Sequence, residues 1–277
     1  MRKLALNEVQ DIIYGIFVEF DSICRKHGIK YSMEGGTLLG AVKYQNFVPW
    51  DDDIDVIMLR DEYEKFLSVA PKELGESYFL QSYNNVKEFP LNYAKLCYLG
   101  AKIHDYDYSH LSNMCHGIFM YIFPIDEVKP EALRKHCSWV GVFTGARKTK
   151  LRVNIGKLPF VKSVIYKLLS IMPMRFLTKR VDLACKKYNG KNTGFKYEVC
   201  NSNKKFKPLP AEIYAELTEL QFRDRKFLAV KEYDAFLRSR FGESYMEELP
   251  AEEKNAISHR GVAMRAFCRQ FLSLFEN

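Results

Sequence analysis

Between Pro49 and Met58 the chain reads PWDDDIDVIM, four carboxylates entering an apolar run. Asp53 and Asp55 alternate with Ile54 and Val56, the period of a half-buried strand, so the spacing predicts both carboxylates on one face and both aliphatic side chains on the other. Two carboxylates that close repel, and one tends to keep its proton unless a divalent cation lets both ionise. Oxygen-only ligands suit Mg²⁺ or Mn²⁺ better than zinc. Asp51 and Asp52, read alone, are a solvated loop.

Upstream, IKYSM (29–33) alternates as a strand and is broken by Gly35 and Gly36. Thr37 is the expected N-cap of a short helix, LLGAV. Bare N–H groups at a glycine turn and a helix N-terminus form a place to hold phosphate. Strand, glycine turn, short helix and an Asp-x-Asp strand together suit a metal-bound nucleotide phosphate, oriented for in-line attack by an alcohol.

The remaining pattern is mixed α/β up to about residue 130. Val9, Ile12, Ile13, Ile16, Phe17, Phe20 and Ile23 repeat at helical spacing, closed by His27 and Gly28. EYEKFLSVA (62–70) reads as a helix, YAKLCYL (93–99) and GIFMYIFPID (117–126) as strands, the second ended by Pro124. Beyond Glu131 helical patterns dominate, in EALRKHCSWVGVF and in VKEYDAFLRSRFG. The expected organisation is a core over 1–130 and a mainly helical region over 131–277, packed on it.

With 277 residues and 47% hydrophobic composition, the chain can bury a large single core. No apolar run reaches the roughly 18 residues of a membrane span, and Asn7, Glu8 and Asp11 interrupt any signal-peptide pattern, so a cytoplasmic protein is expected. Seven cysteines without a Cys-x-x-Cys pair read as reduced. Lys and Arg exceed Asp and Glu by 42 − 34 = 8, and thirteen of these bases fall in 147–191 against one acid, Asp182. Such a field attracts anions. With Val161, Val164, Ile165, Leu168, Leu169 and Ile171 interleaved, the segment reads either as an interfacial helix on anionic lipid or as an amphipathic helix packed on the core. No nucleic-acid-reading motif accompanies it. His104, His110, Cys115 and His116 match no standard zinc spacing and read as loop residues.

EGGTLLGAVKYQNFVPWDDDIDV (34–56) resembles the signature of the LicD family, a branch of the nucleotidyltransferase superfamily that also includes fukutin-related protein. HGIFMYIFPID (116–126) and, less specifically, FLRSRFGESYMEELPAEEKNAISH (236–259) extend the likeness. The resemblance implies a nucleotidyltransferase-like mixed sheet with flanking helices. It also implies a metal-dependent transfer of a phospho-alcohol, typically phosphocholine, from a CDP-activated donor to a cell-surface glycan or its lipid-linked precursor. By position, Gly35, Gly36 and Thr37 would hold donor phosphate, Asp53 and Asp55 the metal, and Lys95 would counter phosphate charge. Lys43 stands where the family commonly has arginine and keeps the charge without the bidentate fork.

One departure is chemical. Where the family usually has Gly-Ile-Phe-Ile-Asp-Ile-Phe-Pro, this chain has Tyr121 in place of the aspartate that completes the metal site and helps deprotonate the acceptor. A tyrosine of ordinary pKa does neither well at neutral pH. Asp126, Asp107 or Asp105 could substitute, His116 could act as base, or the chain could bind nucleotide without catalysis. A nucleotide-sugar glycosyltransferase also uses Asp-x-Asp, but usually after a full βαβ unit, and here only 52 residues precede Asp53.

Overall fold

The computed structural model describes residues 4–102, 108–153, 155–201 and 207–247. In chain order the elements are α1 (Leu6–Lys26), β1 (Ser32–Met33), α2 (Gly35–Tyr44), β2 (Asp55–Leu59), α3 (Arg60–Glu73), β3 (Tyr78–Gln81), β4 (Ala94–Lys102), β5 (Gly117–Glu127), α4 (Leu133–Lys150), α5 (Phe160–Ser170), α6 (Met174–Cys185), β6 (Phe195–Tyr197), β7 (Leu209–Pro210), β8 (Leu217–Phe222), β9 (Arg225–Val230) and α7 (Tyr233–Phe241). The chain divides into two units, Met1–Arg240 and Phe241–Asn277. The fold below belongs to the first; in the second, turns are closed by Tyr245 N–H to Gly242 O and Glu247 N–H to Ser244 O.

The sheet is mixed and flanked by helices, the α/β class expected. Strand β5 is its spine, parallel to β2 along one edge and antiparallel to β4 along the other. β1 extends the sheet beyond β2, β3 extends it beyond β4, and β6 joins the far end of β5, with Asp126 opposite Tyr197, leading to β7. In register, Asp55 lies opposite Tyr121 and Tyr121 opposite Lys95. Neighbours in register share a face, so Asp55, Tyr121 and Lys95 form one row. Their chain neighbours Val56, Met120 and Ile122 face the other way and are fully buried.

Helix α1 follows its sequence pattern, with Ile13, Ile16, Phe17, Phe20 and Ile23 buried and Gly28 at φ +59° just after its end. Phe17 stacks on Phe227 of the β8–β9 hairpin at 4.0 Å, and Phe20 meets Phe66 of α3 at 4.9 Å. Each such burial contributes on the order of 2 kcal/mol. The hairpin tip is tied to the end of α2 by Arg223 N–H to Gln45 O at 2.6 Å.

Several boundaries differ from expectation. The ladder of β2 begins at Asp55, so Asp53 lies just ahead of it, although burial still alternates from Asp53 to Val56. Helix α2 begins at Gly35 with Glu34 as its N-cap residue, so Thr37 is not the cap but sits inside the first turn. β5 runs through Pro124, because pairing with β4 ends at Ile122 and no N–H is owed there. Strands β6 to β9 have no counterpart in the helical pattern beyond Glu131. Arg147, one of the thirteen bases, is not part of a surface field. It is fully buried, donating to Pro90 O at 2.7 Å, and burial lowers its pKa to about 10.

Candidate active site

Two backbone contacts staple the first turn of α2 to the start of β2. Glu34 N–H donates to Asp55 O at 3.0 Å, and Asp55 N–H donates to Thr37 Oγ1 at 2.9 Å. Gly35 holds φ +53°, a left-handed conformation that a side chain would strain. A Cβ on Gly36 would collide with the Asp51 carboxylate, and one on Gly35 would lie 3.7 Å from Asp55 Oδ2. The two glycines therefore let carboxylates approach a helix N-terminus whose first N–H groups lack intrahelical acceptors. Asp51 is held in turn by Gln10 Nε2 donating to its carbonyl at 2.8 Å and by its own N–H to Val48 O at 2.9 Å.

The charges crowd. Burial first, then the neighbouring Asp53, Glu34, Asp51 and Glu198, push the Asp55 carboxyl well above the usual range. Asp51 is pushed up to about 8 by burial and Asp53, and Glu198 to about 8 by burial and Glu34. Arg240 offsets part of this, its Nη2 lying 2.9 Å from Glu34 Oε1 with both side chains buried. Asp55 as a residue is half-buried, yet its Oδ1 is fully enclosed without a hydrogen-bond partner, as is Glu34 Oε2. Orphaned, mutually repelling carboxylate oxygens fit a hard divalent cation. Among the described residues no three His, Cys, Asp or Glu side chains are arranged as an ion-binding set. A magnesium-type ion commonly takes one or two carboxylates and completes its shell with substrate phosphate and water.

The other sequence candidates separate. Tyr121 lies beside Asp55, where the usual aspartate would have been. Lys95 is 2% exposed, its ammonium 3.7 Å from the Phe119 ring centroid and 5.2 Å from that of Tyr121. It is therefore seated on aromatic faces at the edge of the row, a cation–π contact rather than a solvated strand lysine. Lys43 stands eight residues along α2 from Gly35, about 12 Å at 1.5 Å per residue, and lies 5.5 Å over the Tyr44 ring. Gly35, Gly36, Thr37 and Asp55 are brought together; Lys43 is at the opposite end of the helix.

Asp126 does not reach the pair. It is five residues beyond Tyr121 on β5, roughly 16 Å away along a strand. There it accepts from Arg60 Nε at 2.8 Å and Nη2 at 2.5 Å and from Asn189 at 2.7 Å. The sequence offered an acid near the motif; the fold commits it to a buried structural pair. His116 Nε2 is engaged with Leu111 O at 3.1 Å and His110 Nε2 with Leu151 O at 2.8 Å. His104, Asp105 and Asp107 lie outside the described residues.

Sequence reasoning missed two acids: Asp51, expected in a solvated loop, is drawn against Gly36, and Glu198 lies in no motif. Glu198 follows β6 directly, accepts a hydrogen bond from Asn201, and acts electrostatically on Asp55 and Tyr93. Nothing in FKYEVCN signals this; β6, paired with the end of β5, brings Glu198 within electrostatic reach of Glu34 and Asp55.

Residues 28–142 match the family model described as LicD/FKTN/FKRP, nucleotidyltransferase domain. The chain carries a LicD-family domain. Over 94% of its length and 97% of the relative's, it is 29% identical to the lipopolysaccharide cholinephosphotransferase LicD of Haemophilus influenzae. Shorter matches are to uncharacterised proteins of Rickettsia typhi (37% identical over 23% of this chain and 21% of the relative) and Rickettsia prowazekii (32% over 27% and 30%). The LicD-type domain spans the glycine turn, Asp51 to Asp55, Lys95 and Tyr121, and ends before Glu198.

Proposed function

We propose that this LicD-family chain is a transferase that moves phosphocholine from CDP-choline to a hydroxyl of a lipopolysaccharide-type glycan or its lipid-linked precursor. The observation that carries this reading is the placing of Asp51 and Asp55 against the Gly35–Gly36 turn, with Asp53 close enough to both to raise their pKa values. Similarity over 94% of the chain to a lipopolysaccharide cholinephosphotransferase supports the transferred group and the acceptor class, and the CDP-activated donor is part of the proposal.

In this reading Asp53 and Asp55 hold Mg²⁺ or Mn²⁺, which supplies charge neutralisation on the donor diphosphate. The N–H groups at the start of α2 bind a phosphate oxygen, and Thr37 fixes Asp55 through its backbone. The acceptor oxygen attacks the phosphorus bearing choline, the bond from that phosphorus to the bridging oxygen breaks, and CMP leaves. The hydroxyl proton passes to a carboxylate, a role given to Glu198 because Tyr121 cannot take it and Asp126 is tied to Arg60. Lys95 supports the row from its aromatic seat.

Mass spectrometry of a choline-free lipopolysaccharide incubated with CDP-choline, ion and protein tests the reading. Addition of one phosphocholine, with CMP released in equal amount, is expected. Transfer of a sugar from a UDP-sugar, or no transfer from any CDP-alcohol, would overturn it.

A further inference from the structure

The segment between α4 and β6 contains a surface that the transfer chemistry does not use. Helix α5 packs on α4 by one face: Tyr166 is its one buried residue, its ring fills the space above Gly145, its hydroxyl donates to Gly141 O at 3.3 Å, and Lys150 of α4 donates to Ser170 O at 2.9 Å. Everything opposite Tyr166 is uncovered. Phe160 is 82% exposed, Val161 67%, Leu168 61% and Ile171 75%. At 3.6 residues per turn these positions and Val164 fall in one stripe about 100° wide. Such a stripe normally faces a core; this one faces away from it.

Positive charge accompanies the stripe on α5 and on α6, which packs on the same helix α4. Lys162 and Lys167 flank it on α5, and Arg175, Lys179 and Arg180 are exposed on α6, where Phe176 and Leu183 also stand out. Arg175 and Lys179, with Lys87, also line a cleft of about 680 Å³ beside α6, whose one acid, Asp182, is bonded to Tyr83 and Lys186. No helix among the described residues is long and apolar enough to cross a membrane.

We propose that α5 and the exposed edge of α6 form a docking surface for an anionic lipid bilayer, with Phe160, Val164, Leu168 and Ile171 entering the headgroup boundary. Protruding aromatic and aliphatic side chains accompanied by Lys and Arg have the make-up of an interfacial helix, and each base near an anionic leaflet adds attraction. A second copy fits less well. Lysine is depleted in protein–protein interfaces, and a symmetric pairing of this face would bring like charges together.

The test is flotation of the full chain with vesicles of phosphatidylcholine alone and with about one third phosphatidylglycerol, a readout independent of transferase activity. Binding to the anionic vesicles is expected, at least about tenfold stronger than to neutral ones, and weakened at least about tenfold by Phe160→Ser with Leu168→Ser. Both side chains are exposed, so circular dichroism should show an unchanged fold. Lys162→Glu with Lys167→Glu should remove the preference for anionic lipid. Absence of flotation, or flotation insensitive to the apolar double variant, would overturn the proposal. So would a dimer that the same variant splits into monomers without any vesicle binding.

Discussion

Asp55 and Tyr121 are register partners in the parallel ladder of β2 and β5, and Lys95 faces Tyr121 from the other side. The position that ordinarily supplies a carboxylate thus lies between an acid whose Oδ1 has no hydrogen-bond partner and a buried ammonium. If Glu198 does the work of the missing acid, Glu198→Gln should lower kcat by about 10²- to 10⁴-fold with little change in donor affinity. Tyr121→Asp in the Glu198→Gln background should restore part of that loss. Steady-state kinetics of the two single variants and the double variant check this; no effect of Glu198→Gln would remove the residue from the mechanism.

The pH dependence of stability has a definite sign. Asp51 is raised to about 8 from an ordinary 3.8, and Asp55 is also raised, both chiefly by burial. Between those limits the folded state binds more protons than the unfolded chain, so the stability of ion-free protein should fall as pH rises from about 4 to 8. Adding Mn²⁺ should flatten the fall, and Asp55→Asn should raise the ion-free Tm at pH 8. Thermal melts across pH with EDTA and with Mn²⁺ measure both effects.

Gly36→Ala places a methyl group where the Asp51 carboxylate lies. The carboxylate has to move, while the helix should tolerate alanine well. A displacement of about 1 Å in such a site costs on the order of 10²-fold in rate. Transfer should fall by that order with Tm nearly unchanged.

Asp126→Asn should behave in the opposite way. Removing one partner from the buried pair with Arg60 costs about 3–5 kcal/mol, so Tm should drop steeply while kcat per folded molecule stays close to wild type. A normal Tm with lost kcat would return Asp126 to the active site.

The local features were legible where one short stretch decides them. The spacing of Ile13, Ile16, Phe17 and Phe20 announced α1, and Gly35-Gly36 with Asp53 and Asp55 announced a carboxylate and glycine cluster. What escaped was long-range. Asp126 and Glu198 look alike as isolated acids. Their different surroundings follow from Arg60, which opens α3, and from β6, which joins β5 some 70 residues further along the chain. Thr37 carries the signature of a cap, yet its hydroxyl serves Asp55 because the glycine turn already starts the helix two residues earlier. The short strands β6 to β9 lack the length over which alternation becomes readable.

The most direct measurement is calorimetric titration of the chain with CDP-choline in Mn²⁺, in Mg²⁺ and in EDTA, repeated on Asp55→Asn. Binding that requires either ion and disappears in the variant is the expected result. Binding of equal strength in EDTA, or binding untouched by Asp55→Asn, would contradict a donor diphosphate held through an ion at Asp53 and Asp55.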